Sequence, residues 1–307
     1  MDISYQLKKN LLASVERFFF CLSPPTILFI FCLYKILEII NTSVMKTNNS
    51  LGLLLLFSLV AFACTDAPQK EGMVETEEVV EEYLVIISED GADNTLTQEE
   101  ADNGWTLLFD GQTMDMWRVF NTDTLFGWEV KEGEMVALGT AGLEGLGSDI
   151  VSKEAFTNFE LSLEWKVSEA GNSGVFFNVV EGEDLHAVYE SGPEYQLIDD
   201  IGFPMKLEDW QKSGANYAMH PPVKVNSNPA GEWNHTKITV NNGKVTHELN
   251  GMEVVSYELW TPEWEALKQE GKWKDVPTYG AAKSGHLALQ DHGNQSWFKN
   301  IKVRRLD

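Results

Sequence analysis

Residues 160–167 read Glu-Leu-Ser-Leu-Glu-Trp-Lys-Val, with apolar side chains at the odd positions and polar or charged ones at the even positions. A period of two puts one face of a strand in a core and the other in water, and a helix cannot use it. The pattern recurs. Residues 233–240 and 244–249 flank Asn241-Asn242-Gly243, and Asn250-Gly251 precedes residues 252–257. Asn-Gly accepts the positive φ that tight hairpin turns demand, so a meander of antiparallel strands is expected here. One helix is predicted, at 262–269, with Thr261 as N-cap and Pro262 at the first helical position. Many short strands, frequent Gly and Asn turns and one helix argue for an all-β sandwich or jelly roll.

The chain has 307 residues, but all ten tryptophans fall between Trp105 and Trp297. One domain of roughly 200 residues is expected over 105–307, a usual size for a large β-sandwich. The front end reads differently. Met45-Lys46, the apolar run 51–60 and Ala61-Phe62-Ala63-Cys64 have the layout of a secretory signal peptide. Residues 1–44 then stand as an upstream gene-model extension. The competing reading takes 27–40 as a membrane anchor, but Lys35 and Glu38 interrupt it, at about 3 kcal/mol for a charge near the bilayer centre. The cysteines are Cys21, Cys32 and Cys64, so a domain at 105–307 has no disulfide. An unpaired Cys64 behind a signal peptide suits lipidation, and a cell-envelope lipoprotein is expected, while Ala61-Phe62-Ala63 also fits plain cleavage to a soluble periplasmic form.

Charge separates the segments further. Residues 65–104 hold thirteen acidic side chains against one Lys, half of the whole chain's net −24. So acidic a stretch reads as a solvated tether. The remaining domain is also acidic, and nucleic acid, whose phosphates require Lys and Arg, is excluded as a partner. Contact with a membrane is expected through a lipid anchor alone.

Side chains able to do chemistry gather in two places. In Pro193-Glu194-Tyr195-Gln196-Leu197-Ile198-Asp199-Asp200, strand parity puts Glu194 and Gln196 on one face. A carboxylate beside an amide can exchange a proton with a ligand while the amide holds a hydroxyl. Farther on, residues 285–301 read as strand, polar turn and strand, with His286 and Gln290 on one face and Asp291 and His292 at the turn. Asn178 closes the buried run Val175-Phe176-Phe177, and Tyr189 and Tyr217 lie in loops where they can meet a polar ligand. The six histidines form no H-x-x-x-H or similar cluster, so no cofactor is required by the pattern and a divalent metal stays open.

Phe109-Asp110-Gly111, Gly171-Asn172-Ser173-Gly174-Val175-Phe176-Phe177, Glu194-Tyr195-Gln196-Leu197-Ile198-Asp199, Glu232-Trp233-Asn234, Leu249-Asn250-Gly251 and 285–293 followed by Phe298-Lys299-Asn300-Ile301 occur in that order. Together they resemble the 3-keto-glycoside lyase/hydratase family of exported bacterial proteins, across 105–306. Many members carry Arg where this chain has Asn178. The resemblance implies a concanavalin A-like jelly roll of two antiparallel sheets with an oxidised glycoside or disaccharide on its concave sheet. It also implies a reaction in which a C3 ketone acidifies the C2 hydrogen, the C1 substituent leaves by β-elimination and water adds back to the glycal.

Such chemistry needs a base, an acid and a group to polarise the ketone. Glu194 and His292 are candidates for base and acid, in either order, with Asp291 or Asp199 orienting the histidine. Gln196, Gln290, Asn178, His286, Tyr189 and Tyr217 are candidates for substrate contacts. Two other classes remain open. An ordinary glycoside hydrolase of this fold would carry E-x-D-x-E on one strand, and the chain has none. A non-catalytic sugar-binding module would use the same sheet without turnover.

Overall fold

The computed structural model describes residues 85–89, 91–139 and 149–307. The signal-peptide reading, Cys64, the run at 27–40 and most of the acidic stretch lie outside the described residues. In chain order the elements begin with α1 (Gln98–Asp102), β1 (Trp105–Leu107), β2 (Trp117–Val119), β3 (Trp128–Lys131), β4 (Glu134–Ala137) and β5 (Ile150–Phe156). Next come β6 (Phe159–Val167), β7 (Asn172–Val179), β8 (Glu194–Ile198), β9 (Asn234–Asn241) and β10 (Lys244–Leu249). The last are β11 (Met252–Glu258), α2 (Pro262–Glu270), β12 (Gly285–Leu289) and β13 (Ser296–Arg305).

Among the described residues the strands form two sheets. One has eight strands, ordered β11-β10-β9-β6-β13-β4-β3 with β1 also on β13; the other has five, ordered β2-β5-β12-β7-β8. Every pairing between these strands is antiparallel. The alternation sets which side chains fill the space between the sheets. Leu161, Leu163, Trp165 and Val167 of β6 meet Val175 and Phe177 of β7, Tyr195 and Leu197 of β8, and Leu287 and Leu289 of β12 in one core. The fold is an all-β jelly-roll sandwich. Both Asn-Gly turns sit where expected, with positive φ at Asn242, Gly243, Asn250 and Gly251. The helix also forms: the Thr261 hydroxyl caps the Trp264 N–H and Pro262 opens the first turn.

The boundary drawn at Trp105 is corrected. The end of the stretch read as a tether is folded onto the eight-stranded sheet. Leu96 is fully buried and bridges Ile87. Thr97 and Glu100 form a reciprocal capping box on α1, and Glu100 pairs with Lys302 of β13. Asn94 and Asn300, both at positive φ, exchange backbone-to-amide hydrogen bonds of 2.6 and 2.9 Å. The composition of 65–104 hid this because only a few side chains make the contact.

The two strands read at 285–301 belong to different sheets. The link 290–295 crosses from the five-stranded to the eight-stranded one. On the five-stranded sheet, Phe176 and Ala288 face away from the main core and join Phe120, Val151, Val179 and Val188 in a second apolar cluster. Glu194 and Gln196, alternating with the core residues Tyr195 and Leu197, share that outward face with them. Loops 180–192 and 199–217 and the segment around α2 wall it.

Candidate functional site

A cavity of about 410 Å³ opens on this face, within the roughly 300–1,000 Å³ usual for small-molecule sites. Parity of β8 delivers Glu194, Gln196 and Ile198 to it, β7 delivers Asn172, and the sheet-crossing link delivers Gln290 and His292. Tyr189, Gln211, Tyr217, Lys272, Phe203, Met205 and Leu207 complete the lining. Six residues singled out from sequence therefore share one cavity: Glu194, Gln196, Gln290, His292, Tyr189 and Tyr217.

Glu194 is buried, and its carboxylate lies so close to β7 that a Cβ on Gly174 would meet Oε1 at 2.6 Å. Burial pushes this carboxyl up to about 8; the Lys272 cation pulls it down and the Asp149 charge adds to the rise. At neutral pH Glu194 is therefore mostly protonated. The buried Oε1 of Gln290 and Oδ1 of Asn172 have no hydrogen-bond partner within the protein. Buried acceptors are costly to leave unpaired, so these atoms are ready for the hydroxyls of a ligand.

Lys272 was not foreseen. It lies in the loop after α2, where no periodicity marks a direction, and the only local signal is its place beside Trp273. Its ammonium sits 4.5 Å from the ring centroids of both Tyr217 and Trp273. Trp273 stacks on Tyr279 at 4.2 Å, Tyr279 on Trp264 at 6.0 Å, and Trp264 on Tyr257 at 5.6 Å. Lys268, buried in α2, donates to the carbonyls of Pro277 and Tyr279 and closes the segment. The cation is thus held on a rigid aromatic wall. Burial lowers its pKa while Glu194 opposes that, and the two act on each other through charge without a direct ion pair. Tyr217 is raised by burial and by the Glu194 charge; its backbone N–H donates to the Glu194 carbonyl at 3.0 Å, which fixes it beside the acid.

A carboxyl pair, Asp149 and Asp291, lies outside the cavity lining, at the link that carries Gln290 and His292. Asp149, only half-buried by exposure yet packed closely among protein atoms, is pushed up to about 7, by burial first and then by the charge of Asp291. Its Oδ1 accepts the Asp291 N–H at 3.1 Å, and the buried Asp291 accepts from the Gly293 N–H, shaping the turn that exposes His292. Asp149 too was missed, standing at the edge of a glycine-rich stretch with no strand pattern of its own.

Three expected site residues lie elsewhere. Asn178 is fully buried at a bulge of β7, with φ +54°, and does not line the cavity. Asn tolerates this left-handed conformation, which is why it stands there. His286, the second residue of β12, lies opposite the irregular stretch of β5, where its Nδ1 donates to the Ser152 carbonyl at 2.7 Å and its Nε2 lies 3.7 Å from Glu181, which is paired with Arg118. Asp199 does not orient a histidine. Its carboxylate accepts from the N–H groups of Ala170, Ile201 and Gly202; burial would raise it, but these donors hold it below the usual carboxylate range. Among the described residues, no three His, Cys, Asp or Glu side chains converge as a metal site.

An acid, a cation and unpaired amides facing one outward cavity of a β-sandwich make a site able to hold a polar small molecule. The chain belongs to the 3-keto-alpha-glucoside-1,2-lyase-like domain family, which it matches over residues 104–304. It is 34% identical over 267 residues to the 3-keto-disaccharide hydrolase of Bacteroides thetaiotaomicron, covering 78% of this chain and 92% of that protein. A candidate glycosyl hydrolase from Parabacteroides distasonis, known from its crystal structure, is 41% identical with a TM-score of 0.67, over 70% of this chain and all of that one. A second from the same organism is 26% identical with a TM-score of 0.52, over 66% of this chain and all of that one.

Proposed function

We propose that the chain cleaves glycosides whose sugar carries a ketone at C3, by elimination followed by hydration. The observation that carries this reading is Glu194, a buried carboxyl lifted to about 8 and facing Lys272 in the cavity. A general acid must hold its proton at the working pH, and Glu194 does. His292, exposed at the mouth, takes the C2 proton. The electrons form an enolate at C2–C3, where the Lys272 cation faces the charge that develops on the ketone oxygen. As the enolate collapses, C1–O breaks, C1=C2 forms and the leaving oxygen takes the Glu194 proton. Water then adds across C1=C2, its hydroxyl to C1 and a proton to C2, for net hydrolysis. Gln196, Gln290 and Asn172 hold the hydroxyls. Membership of the family supports the reading, and so does the naming of a relative as a 3-keto-disaccharide hydrolase.

The test is paired incubation with a 3-keto-glucoside and its unoxidised parent. Release of aglycone from the keto form alone is the expected result. Equal release from both would indicate ordinary hydrolysis, and affinity with no release from either would indicate a binding module.

The proposal extends to the cell envelope, on the leader over 45–64 and Cys64 as a lipidated residue. Cys64→Ala is then expected to abolish fatty-acid labelling and free the protein from membranes. Unchanged membrane association would point instead to the run at 27–40.

A further inference from the structure

The cavity has two unlike walls. Glu194, Gln196, Gln290 and Lys272 are polar, whereas Phe203, Met205 and Leu207 form an apolar shelf on the loop that follows β8. Met205 is 67% exposed, and Ile201 in the same loop is 77% exposed. Single exposed apolar side chains are ordinary, but a group of them on one loop at the rim of a polar cavity marks a surface that a ligand covers.

The loop is built rather than slack. Asp199 takes the N–H groups of Ile201 and Gly202, and the Phe203 N–H donates to the Asp199 carbonyl at 3.2 Å. Asp200 accepts from the Ser213 N–H and the Ser227 hydroxyl. At the far end Glu208 and Gln211 cap a 3₁₀ turn at Asp209–Gln211 reciprocally. A shelf held at both ends costs little ordering on binding. Its side chains offer no hydrogen bonds to the hydroxyls of a second sugar and suit a ring of carbon.

We infer that Phe203, Met205 and Leu207 form the leaving-group subsite, and that the preferred substrates are glycosides with an apolar, ring-bearing aglycone rather than disaccharides. The inference takes its sugar end from the reading above. The polar wall grips the sugar, with C1 directed at the shelf. A methionine and a phenylalanine suit an aromatic aglycone, since sulfur and ring edges pack well against π faces.

The test compares the 3-keto forms of benzyl glucoside and of a glucose disaccharide, whose leaving groups are both alcohols. The wild-type protein should favour the benzyl substrate in kcat/KM. Phe203→Ser with Met205→Ser should cut that value about tenfold or more, the scale of a lost apolar contact, and change the disaccharide's less than about twofold. A wild-type preference for the disaccharide, or an equal loss on both substrates, would overturn the inference. If neither keto substrate is turned over, the catalytic reading fails by itself. Titration with unoxidised benzyl glucoside and the unoxidised disaccharide then still decides the shelf: tighter binding of the benzyl compound, abolished in the double variant, supports it, and equal binding contradicts it. Both side chains reach solvent, and an unchanged unfolding midpoint confirms that the variant is folded.

Discussion

Glu194 is legible in the sequence as a side chain on the ligand face of a strand, but its protonation state is not. Parity placed it beside Gln196; the lift to about 8 comes from burial that only the assembled sheet and its loops impose. With an unfolded value near 4.5 and a folded value near 8, the folded protein holds this proton more tightly. The resulting stability is complete below about pH 4.5 and is lost as pH rises through about 8. Glu194→Gln should therefore flatten the fall in unfolding midpoint between those values while lowering turnover by about 100-fold or more. The pH dependence of kcat/KM should show an alkaline limb near 8. Because Lys272 pulls the Glu194 value down, Lys272→Met should move that limb upward as well as slow the reaction. A limb that stays in place would mean that Lys272 does not act on the acid.

At the scale of elements, the hairpins at 234–258 and the helix at 262–270 followed from turn chemistry and capping alone, because Asn-Gly and Thr-Pro act over a few residues. What parity could not reveal is where strands lose register. The bulge at Asn178 and the irregular pairing of β12 with β5 moved two expected contacts, Asn178 and His286, out of the site. Loop residues escaped for a related reason. Lys272 depends on a stack of rings assembled from β11, α2 and the loops after α2, which no short window of sequence contains. The β12 bulge region makes a sharp prediction. A Cβ on Gly285 would stand 2.4 Å from the Asn178 backbone carbon and 2.5 Å from the Val179 carbonyl oxygen, and backbone there cannot yield. Gly285→Ala is expected to cost about 1–3 kcal/mol, the range of overpacking, seen in chemical denaturation. An unchanged midpoint would show that β12 can slide.

For the whole molecule, the acidic composition at 65–104 and the folded contacts at 94–103 pull toward different readings, and the contacts decide where the domain starts. Leu96 has no exposed surface, and the Asn94–Asn300 exchange ties it to β13. Leu96→Ala is expected to destabilise the domain by about 2–5 kcal/mol, as removal of a buried leucine does. A tether would show no change in the denaturation midpoint.

Isotopic labelling at C2 reads directly whether C1–O cleavage follows loss of the C2 proton. A 3-keto-glucoside carrying deuterium at C2 should be cleaved more slowly than its protium form if proton removal limits the rate, and the sugar product should have lost its deuterium to solvent. Aglycone release with deuterium retained at C2 would contradict elimination and make the protein a direct hydrolase.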